Sequence, residues 1–175
     1  MKTASFKPAV INPFLSLHSW VHTAAAVLLK KKKINTDMQE NGYSDNVILL
    51  IDDDSLFRKL LIKKLTYLLG AYVVEANDPI EAEKYLQNNH PDLIILDILM
   101  PVIDGLSWLK KVRKEKKYGD IRVIPCTTMP TRELVVNMIK LKIDDFFDKS
   151  TKMDVLLAKV QKSLDKINEK KQEDI

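Results

Sequence analysis

The sequence predicts an α/β domain: a doubly wound, five-stranded parallel sheet with helices on both faces. Three observations predict it. Val47-Ile48-Leu49-Leu50-Ile51 and Leu93-Ile94-Ile95-Leu96 are unbroken apolar runs bounded by polar residues, the pattern of short strands covered on both sides. Segments with apolar residues at helical spacing separate these runs from three further strand-like stretches. Four of the strand-like runs end in a carboxylate, a hydroxyl or an ammonium group, at the rim where open α/β sheets place their ligands.

The elements follow in order. The first strand, Val47 to Ile51, runs into Asp52-Asp53-Asp54. Phe57, Leu61, Leu65 and Leu68 then recur at steps of four and three, an amphipathic helix with Gly70 as its stop. Ala71 to Ala76 is a short strand. Asp78-Pro79 supplies an N-cap and a first-turn proline for a helix reaching about Asn89. The third strand ends at Asp97, and Met100-Pro101 and Asp104-Gly105 turn the chain away. A helix from near Gly105 carries Leu106, Leu109 and Val112 inward. Ile121 to Cys126 is the fourth strand, ending in Thr127-Thr128. Pro125 lies inside it, and a proline cannot donate to a ladder, so a bulge or an early strand end is expected. The fourth helix starts after Pro130, with Leu134, Val135, Met138 and Ile139 on one face. Asp145 to Asp148 forms the last strand, ending in Lys149-Ser150. The fifth helix shows Met153, Leu157, Val160, Leu164 and Ile167. These stripes read as core. The charged tail Glu169 to Ile175 reads as a frayed, solvated end.

The strand ends suggest chemistry. Asp97, on a rigid strand beside a tight loop, is placed to be a nucleophile or a metal ligand. Asp52 to Asp54 end a similar strand, and carboxylates gathered at neighbouring strand ends repel one another unless a cation sits among them. Mg²⁺ next to a phosphate is the usual solution. The competing reading is that these aspartates only cap the following helix. A phosphoryl site also needs a hydroxyl and a cation for the phosphoryl oxygens. Thr127 and Lys149 offer them, though taken singly each reads as an ordinary loop residue.

In this order, these residues resemble the response-regulator receiver domain of two-component signalling, over roughly Asn46 to Asn168. The motifs are Asp52-Asp53, Asp97 with Met100-Pro101 and Asp104-Gly105, Thr127, and Lys149. The resemblance implies strand order 2-1-3-4-5 and phosphorylation of Asp97. It implies Mg²⁺ bound by Asp52, Asp53, Asp97 and the Leu99 backbone carbonyl, with Thr127 and Lys149 contacting the phosphoryl group. The implied partner is a histidine kinase or phosphotransfer protein in the cytoplasm, with an unknown protein downstream. The implied chemistry is limited to the protein's own phosphorylation and dephosphorylation. With no output domain expected after the fifth helix, the resemblance is to a stand-alone, chemotaxis-type receiver. In that family the positions of Leu99 and Met129 flank the path of the hydrolytic water; neither holds a water well, so slow self-dephosphorylation is expected. The chain departs from the family pattern at Ser150 (usually Pro), Thr128 (usually Ala), Phe146 (an aromatic without a hydroxyl) and Lys142 (commonly Gly). The departures at Ser150 and Phe146 keep open a receiver-fold scaffold that binds its partner without phosphorylation. A hydrolase using Asp97 is a third reading, opposed by the absence of a cap domain.

Composition sets the limits. A chain of 175 residues can bury one good core. Of its 28 basic and 24 acidic residues, six lysines and three acids fall in residues 1–45, so most of the +4 charge sits there. The expected organisation is an extension over 1–45, read as flexible, a receiver domain over 46–168 and a charged tail over 169–175. No basic stripe interleaved with aromatics and no zinc-finger spacing is present, which speaks against nucleic-acid binding. The single cysteine, Cys126, excludes an internal disulfide and reads as a small core residue. Membrane contact through residues 9–33 is weighed against: Asn12, Pro13, His18, Ser19, His22 and Thr23 interrupt the apolar stretch. His18 and His22 share a helical spacing but lack a third metal ligand. Met38 is a candidate internal start.

Overall fold

The computed structural model describes residues 46–173. The expectations for residues 1–45, including Met38 and the membrane question, lie outside these. Strand β1 is Val47–Ile51, β2 is Tyr72–Ala76, β3 is Leu93–Asp97, β4 is Arg122–Thr127 and β5 is Phe147–Asp148. Helix α1 is Ser55–Leu69, α2 is Pro79–Asn88, α3 is Gly105–Lys114, α4 is Arg132–Ile139 and α5 is Met153–Glu173. The sheet is parallel throughout, in the order β2-β1-β3-β4-β5.

Alternation along the strands builds one core on each face. Ile48, Leu50, Ile95, Ile124, Cys126 and Phe147 meet Leu61 and Leu65 of α1 and the apolar face of α5. Leu49, Ile51, Ile94, Leu96 and Val123 point the other way, towards α2, Trp108 and Leu109 of α3, and Met138 of α4. The helix starts use the signals seen in the sequence. Asp54, Asp78 and Asp104 each cap their helix through the side chain, and Pro79 opens α2. Gly70 ends α1 at φ 60°, a left-handed conformation that glycine adopts without a Cβ penalty.

The structure corrects four expectations. Pro125 neither bulges nor ends β4; Leu96 pairs with Pro125 and Asp97 with Cys126 in unbroken register. The Cys126 carbonyl faces β3, where it accepts from the Ile98 N–H at 2.9 Å; the Thr127 carbonyl faces β5. Pro125, in phase with Thr127, turns its nitrogen towards β5, whose ladder begins only at Cys126–Phe147, so no donor is missed there. Second, β5 is two residues long, because Asp145 and Phe146 stand off the sheet. Third, Ile139 is 62% exposed, and Leu68 is exposed as well, so neither belongs to the core. Fourth, the tail is not frayed through Glu173. Helix α5 continues to that residue, and Lys171 reaches back to Asp92 at 2.7 Å and to the Asn46 side chain at 3.1 Å. Beyond the end of α4, Lys142 takes φ 54°, the conformation glycine favours. Arg113 fastens this connection by donating to the carbonyls of Leu141 (2.9 Å), Ile121 (2.8 Å) and Lys142 (3.3 Å).

Candidate functional site

The strand order creates the site. From β1 the chain crosses to β2 on one side, then returns past β1 to β3 on the other. A crevice opens at the carboxyl ends of β1 and β3, the switch point where such sheets bind ligands. Ile51 pairs with Leu96, so the next residues on the two strands, Asp52 and Asp97, are neighbours. Asp97 pairs with Cys126, and Thr127 pairs with Asp148, which brings Thr127 and Lys149 to the same rim.

Asp52, Asp97 and Thr127 are buried, at 1%, 4% and 0% exposure, while Asp53 is exposed. One carboxylate oxygen from each of Asp52, Asp53 and Asp97 lies within 4.8 Å of the others. Lys149 closes the cluster, with Nζ 2.7 Å from Asp52 Oδ2 and 2.9 Å from Asp97 Oδ2. The remaining carboxylate oxygens take backbone donors. Asp52 Oδ1 accepts from the Asp54 N–H at 3.0 Å, and Asp97 Oδ1 from the Leu99 N–H at 3.2 Å. Thr127 Oγ1 accepts from the Met129 N–H at 3.2 Å.

Burial pushes the Asp52 carboxyl above its ordinary value, against the pull of Lys149 and with some help from Asp97. Burial also opposes the Lys149 charge, but its hydrogen bonds to Asp52 and Asp97 prevail and hold the ammonium above the usual lysine value. Two buried carboxylates share a single ammonium and the exposed Asp53 stands beside them, so charge balance is incomplete. Hard oxygen donors with an excess of negative charge fit a hard divalent cation. Asp54 takes no part: it caps α1, and the N–H groups of Phe57 and Leu56 lower its carboxyl. The capping reading therefore holds for Asp54, while Asp52 and Asp53 stand with Asp97 in a carboxylate cluster that could hold a divalent ion.

The chain belongs to the response regulator receiver family. The family model described as the response regulator receiver domain matches residues 48–161. The receiver is 32% identical over 117 residues to the chemotaxis protein CheY of Bacillus subtilis, spanning 66% of this chain and 96% of the relative. Among solved structures, chemotaxis protein CheY4 of Vibrio cholerae superposes with a TM-score of 0.63 at 26% identity, over 69% of this chain and 99% of the other. The Mn²⁺-bound form of response regulator Rcp1 superposes with a TM-score of 0.59 at 25% identity, over 66% and 89%. Receiver domains are signalling modules of two-component systems that interact with histidine kinases or phosphotransfer proteins. No helix among the described residues is long and apolar enough to cross a membrane.

The structure thus gathers Asp52, Asp53, Asp97, Thr127 and Lys149 in one crevice of the receiver. Leu99 contributes its N–H there, while its side chain is 48% exposed. Three further residues support the site in ways that the sequence pattern does not show. Arg58 donates to the Asp52 carbonyl at 2.7 Å and to Glu75 at 3.1 Å, tying the β1–α1 loop to β2. The Phe57 ring lies 4.7 Å below Lys149 Nζ. Gly105 leaves no room for a side chain, since a Cβ there would lie 2.1 Å from the Asp97 carbonyl oxygen. The Lys149 loop is shaped by Ser150, whose N–H and hydroxyl both donate to Asp148 Oδ1, at 2.8 and 2.7 Å. A proline there would supply neither donor. Cys126 is fully buried, and burial pushes its thiol far up, so it behaves as a small core residue.

Proposed function

We propose that this protein is a stand-alone response regulator whose Asp97 takes a phosphoryl group from the phosphohistidine of a histidine kinase or phosphotransfer protein. The observation that carries the reading is one ammonium, Lys149, shared between two buried carboxylates on adjacent strand ends. An Asp97 oxygen forms the new bond to phosphorus while the N–P bond of the donor breaks, and its electron pair returns to the imidazole nitrogen. Lys149 moves from the carboxylates to the phosphoryl oxygens, and the Thr127 hydroxyl donates to another. Asp52, Asp53, Asp97 and the Leu99 carbonyl would hold Mg²⁺, which would offset the charge gathering on the phosphoryl oxygens. The Mn²⁺-bound relative supports a divalent ion in this class of site.

The partner would approach over an apolar rim. A recess of about 290 Å³ beside the carboxylates is lined by Asp53, Ile80, Met100, Pro101 and Val102, and Val102 is 87% exposed. The receiver unit runs from Asn46 to the end of α5. The relative matched over 96% of its length is a chemotaxis protein, which supports a signalling role; stand-alone use in the cytoplasm, with output by protein contact or onward transfer, belongs to the same proposal. The receiver catalyses only its own phosphorylation and dephosphorylation, and it has no nucleic-acid partner.

A second reading, a scaffold that binds its partner without phosphorylation, is favoured by Phe146. It has no hydroxyl and sits under Lys159, whose Nζ is 5.9 Å from the ring and 2.6 Å from Asp145. The two readings separate on uptake from acetyl phosphate. Wild type should be labelled only with Mg²⁺, and Asp53→Ala should not be labelled. Efficient labelling of Asp53→Ala without Mg²⁺ would refute the metal assignment, and an unlabelled wild type would favour the scaffold.

A further inference from the structure

Lys149 follows directly on the two-residue strand β5, the shortest strand in the sheet. Its stem has four rotatable carbons, and an ammonium is a point charge without directional preference. Nothing in that chemistry keeps it in place, yet its side chain is only 10% exposed and its nitrogen touches both carboxylates. Two of its three N–H groups are used there. On a third side lies the face of Phe57, with Nζ 4.7 Å from the ring centroid.

Phe57 is itself fixed. It stands in the first turn of α1, its N–H donates to the capping Asp54 at 3.1 Å, and its side chain packs on the core shared by α1 and α5. The helical stripe of the sequence assigns it to the core, and part of it is there. Its face, however, is turned to the one lysine of the site.

We infer that Phe57 is a positioning residue for Lys149. The ring closes the side of the ammonium that carboxylates leave open, and its negative face holds the charge without fixing its direction. That combination suits the step proposed above, on which this inference rests. When a phosphoryl group joins Asp97, negative charge moves outward from the carboxylate to the phosphoryl oxygens. A hydrogen bond would resist the matching movement of Nζ, whereas an aromatic face stays attractive as the ammonium pivots across it. The other groups acting on Lys149 are Asp52 and Asp97 in contact, with Asp54 and the Cys126 thiol further off. Asp53 completes the carboxylate cluster.

The test uses the full chain with Phe57→Leu, Phe57→Trp and a ring-fluorinated phenylalanine at position 57, which keeps the shape and weakens the face. The first readout is the NMR shift of the Lys149 terminal methylene at neutral pH, with no metal or donor present. The ring face shields that methylene in wild type, so Phe57→Leu should move it downfield towards an unstacked lysine, and Phe57→Trp should keep it upfield. The second readout is uptake from acetyl phosphate with Mg²⁺, which should slow about three- to tenfold in the Leu and fluorinated variants and recover in Trp. An unshifted methylene in Phe57→Leu would overturn the inference, as would equal losses of uptake for Leu and Trp. Because the methylene shift needs no phosphorylation, a wild type that takes up no phosphoryl group would sink the proposed function and leave this measurement standing.

Discussion

Gly105→Ala tests whether the helix start and the nucleophile are one mechanical unit. The N–H of Gly105 donates to the Ile98 carbonyl at 3.0 Å, which draws the first residue of α3 against the backbone just after Asp97. A Cβ added at 105 would lie 2.1 Å from the Asp97 carbonyl oxygen, 2.9 Å from Ile98 Cα and 3.1 Å from the Asp97 carbonyl carbon. Ordinary contact begins near 3.4 Å, so α3 or the end of β3 must give way by about 1.3 Å. The clash is with backbone and not with a side chain that can swing aside. Overpacking of this kind costs about 2–3 kcal/mol, which lowers Tm by about 8–12 °C in a domain of this size. A shift of about 1 Å at the nucleophile should also slow phosphoryl uptake about 100-fold. The assays are urea unfolding and uptake from acetyl phosphate. Gly119→Ala is the internal comparison. Gly119 has φ −65°, and a Cβ there meets nothing closer than 3.8 Å, so alanine should gain about 0.4–1 kcal/mol through the unfolded chain. A Gly105→Ala protein with wild-type stability and uptake would show that the helix start and the nucleophile are mechanically independent. So would one whose losses are no larger than those of Gly119→Ala.

Three further outcomes follow. Asp52 has its folded pKa raised by burial, so its contribution to stability is full below the unfolded value of 3.8 and is lost as pH rises through the raised folded value. Without divalent ions, the stability of wild type relative to Asp52→Asn should therefore fall as pH rises above 4, and a flat difference from pH 4 to pH 7 in urea titrations would contradict this. Lys142, at φ 54°, should be a better glycine: Lys142→Gly should gain about 0.5 kcal/mol and Lys142→Val should lose about 1 kcal/mol or more, by urea midpoints. Leu99 and Met129 are 48% and 66% exposed, and neither side chain can hold a hydrolytic water in place; Leu99→Asn with Met129→Glu should shorten the phosphorylated lifetime at least about tenfold after donor removal, and an unchanged decay would show that these positions do not set the rate.

The sequence was most readable where one physical cause dominates. Runs such as Leu93 to Leu96 suit a strand covered on both faces, and the polar residues that stop such strands then lie at the rim. The gathering of Asp52, Asp97, Thr127 and Lys149 follows once the strands are parallel and ordered, and that order came from the resemblance. Partnership was harder to read. A proline inside an inner strand looks disruptive until the opposite edge is known to be only two residues long. Ile139 fits a helical stripe, yet α4 is shallow enough to leave it in solvent. The last turns of α5 look like a solvated tail because their anchors, Asp92 and Asn46, are far away in sequence. Phe57 satisfies the core pattern of α1 so well that nothing in the spacing hints at its contact with Lys149. Ser150 marked a departure without its physical meaning, which is a pair of hydrogen bonds to Asp148 that a proline could not make.

Every step of the proposed chemistry depends on Asp97 as the phosphoryl acceptor. The direct test of that role is intact mass of wild type and Asp97→Asn after incubation with acetyl phosphate and Mg²⁺, with the labelled peptide located by fragmentation. Wild type should gain the mass of one phosphoryl group on the peptide containing Asp97, and Asp97→Asn should gain none. A gain that persists in Asp97→Asn, or a label found on any other residue of the wild type, would contradict the account.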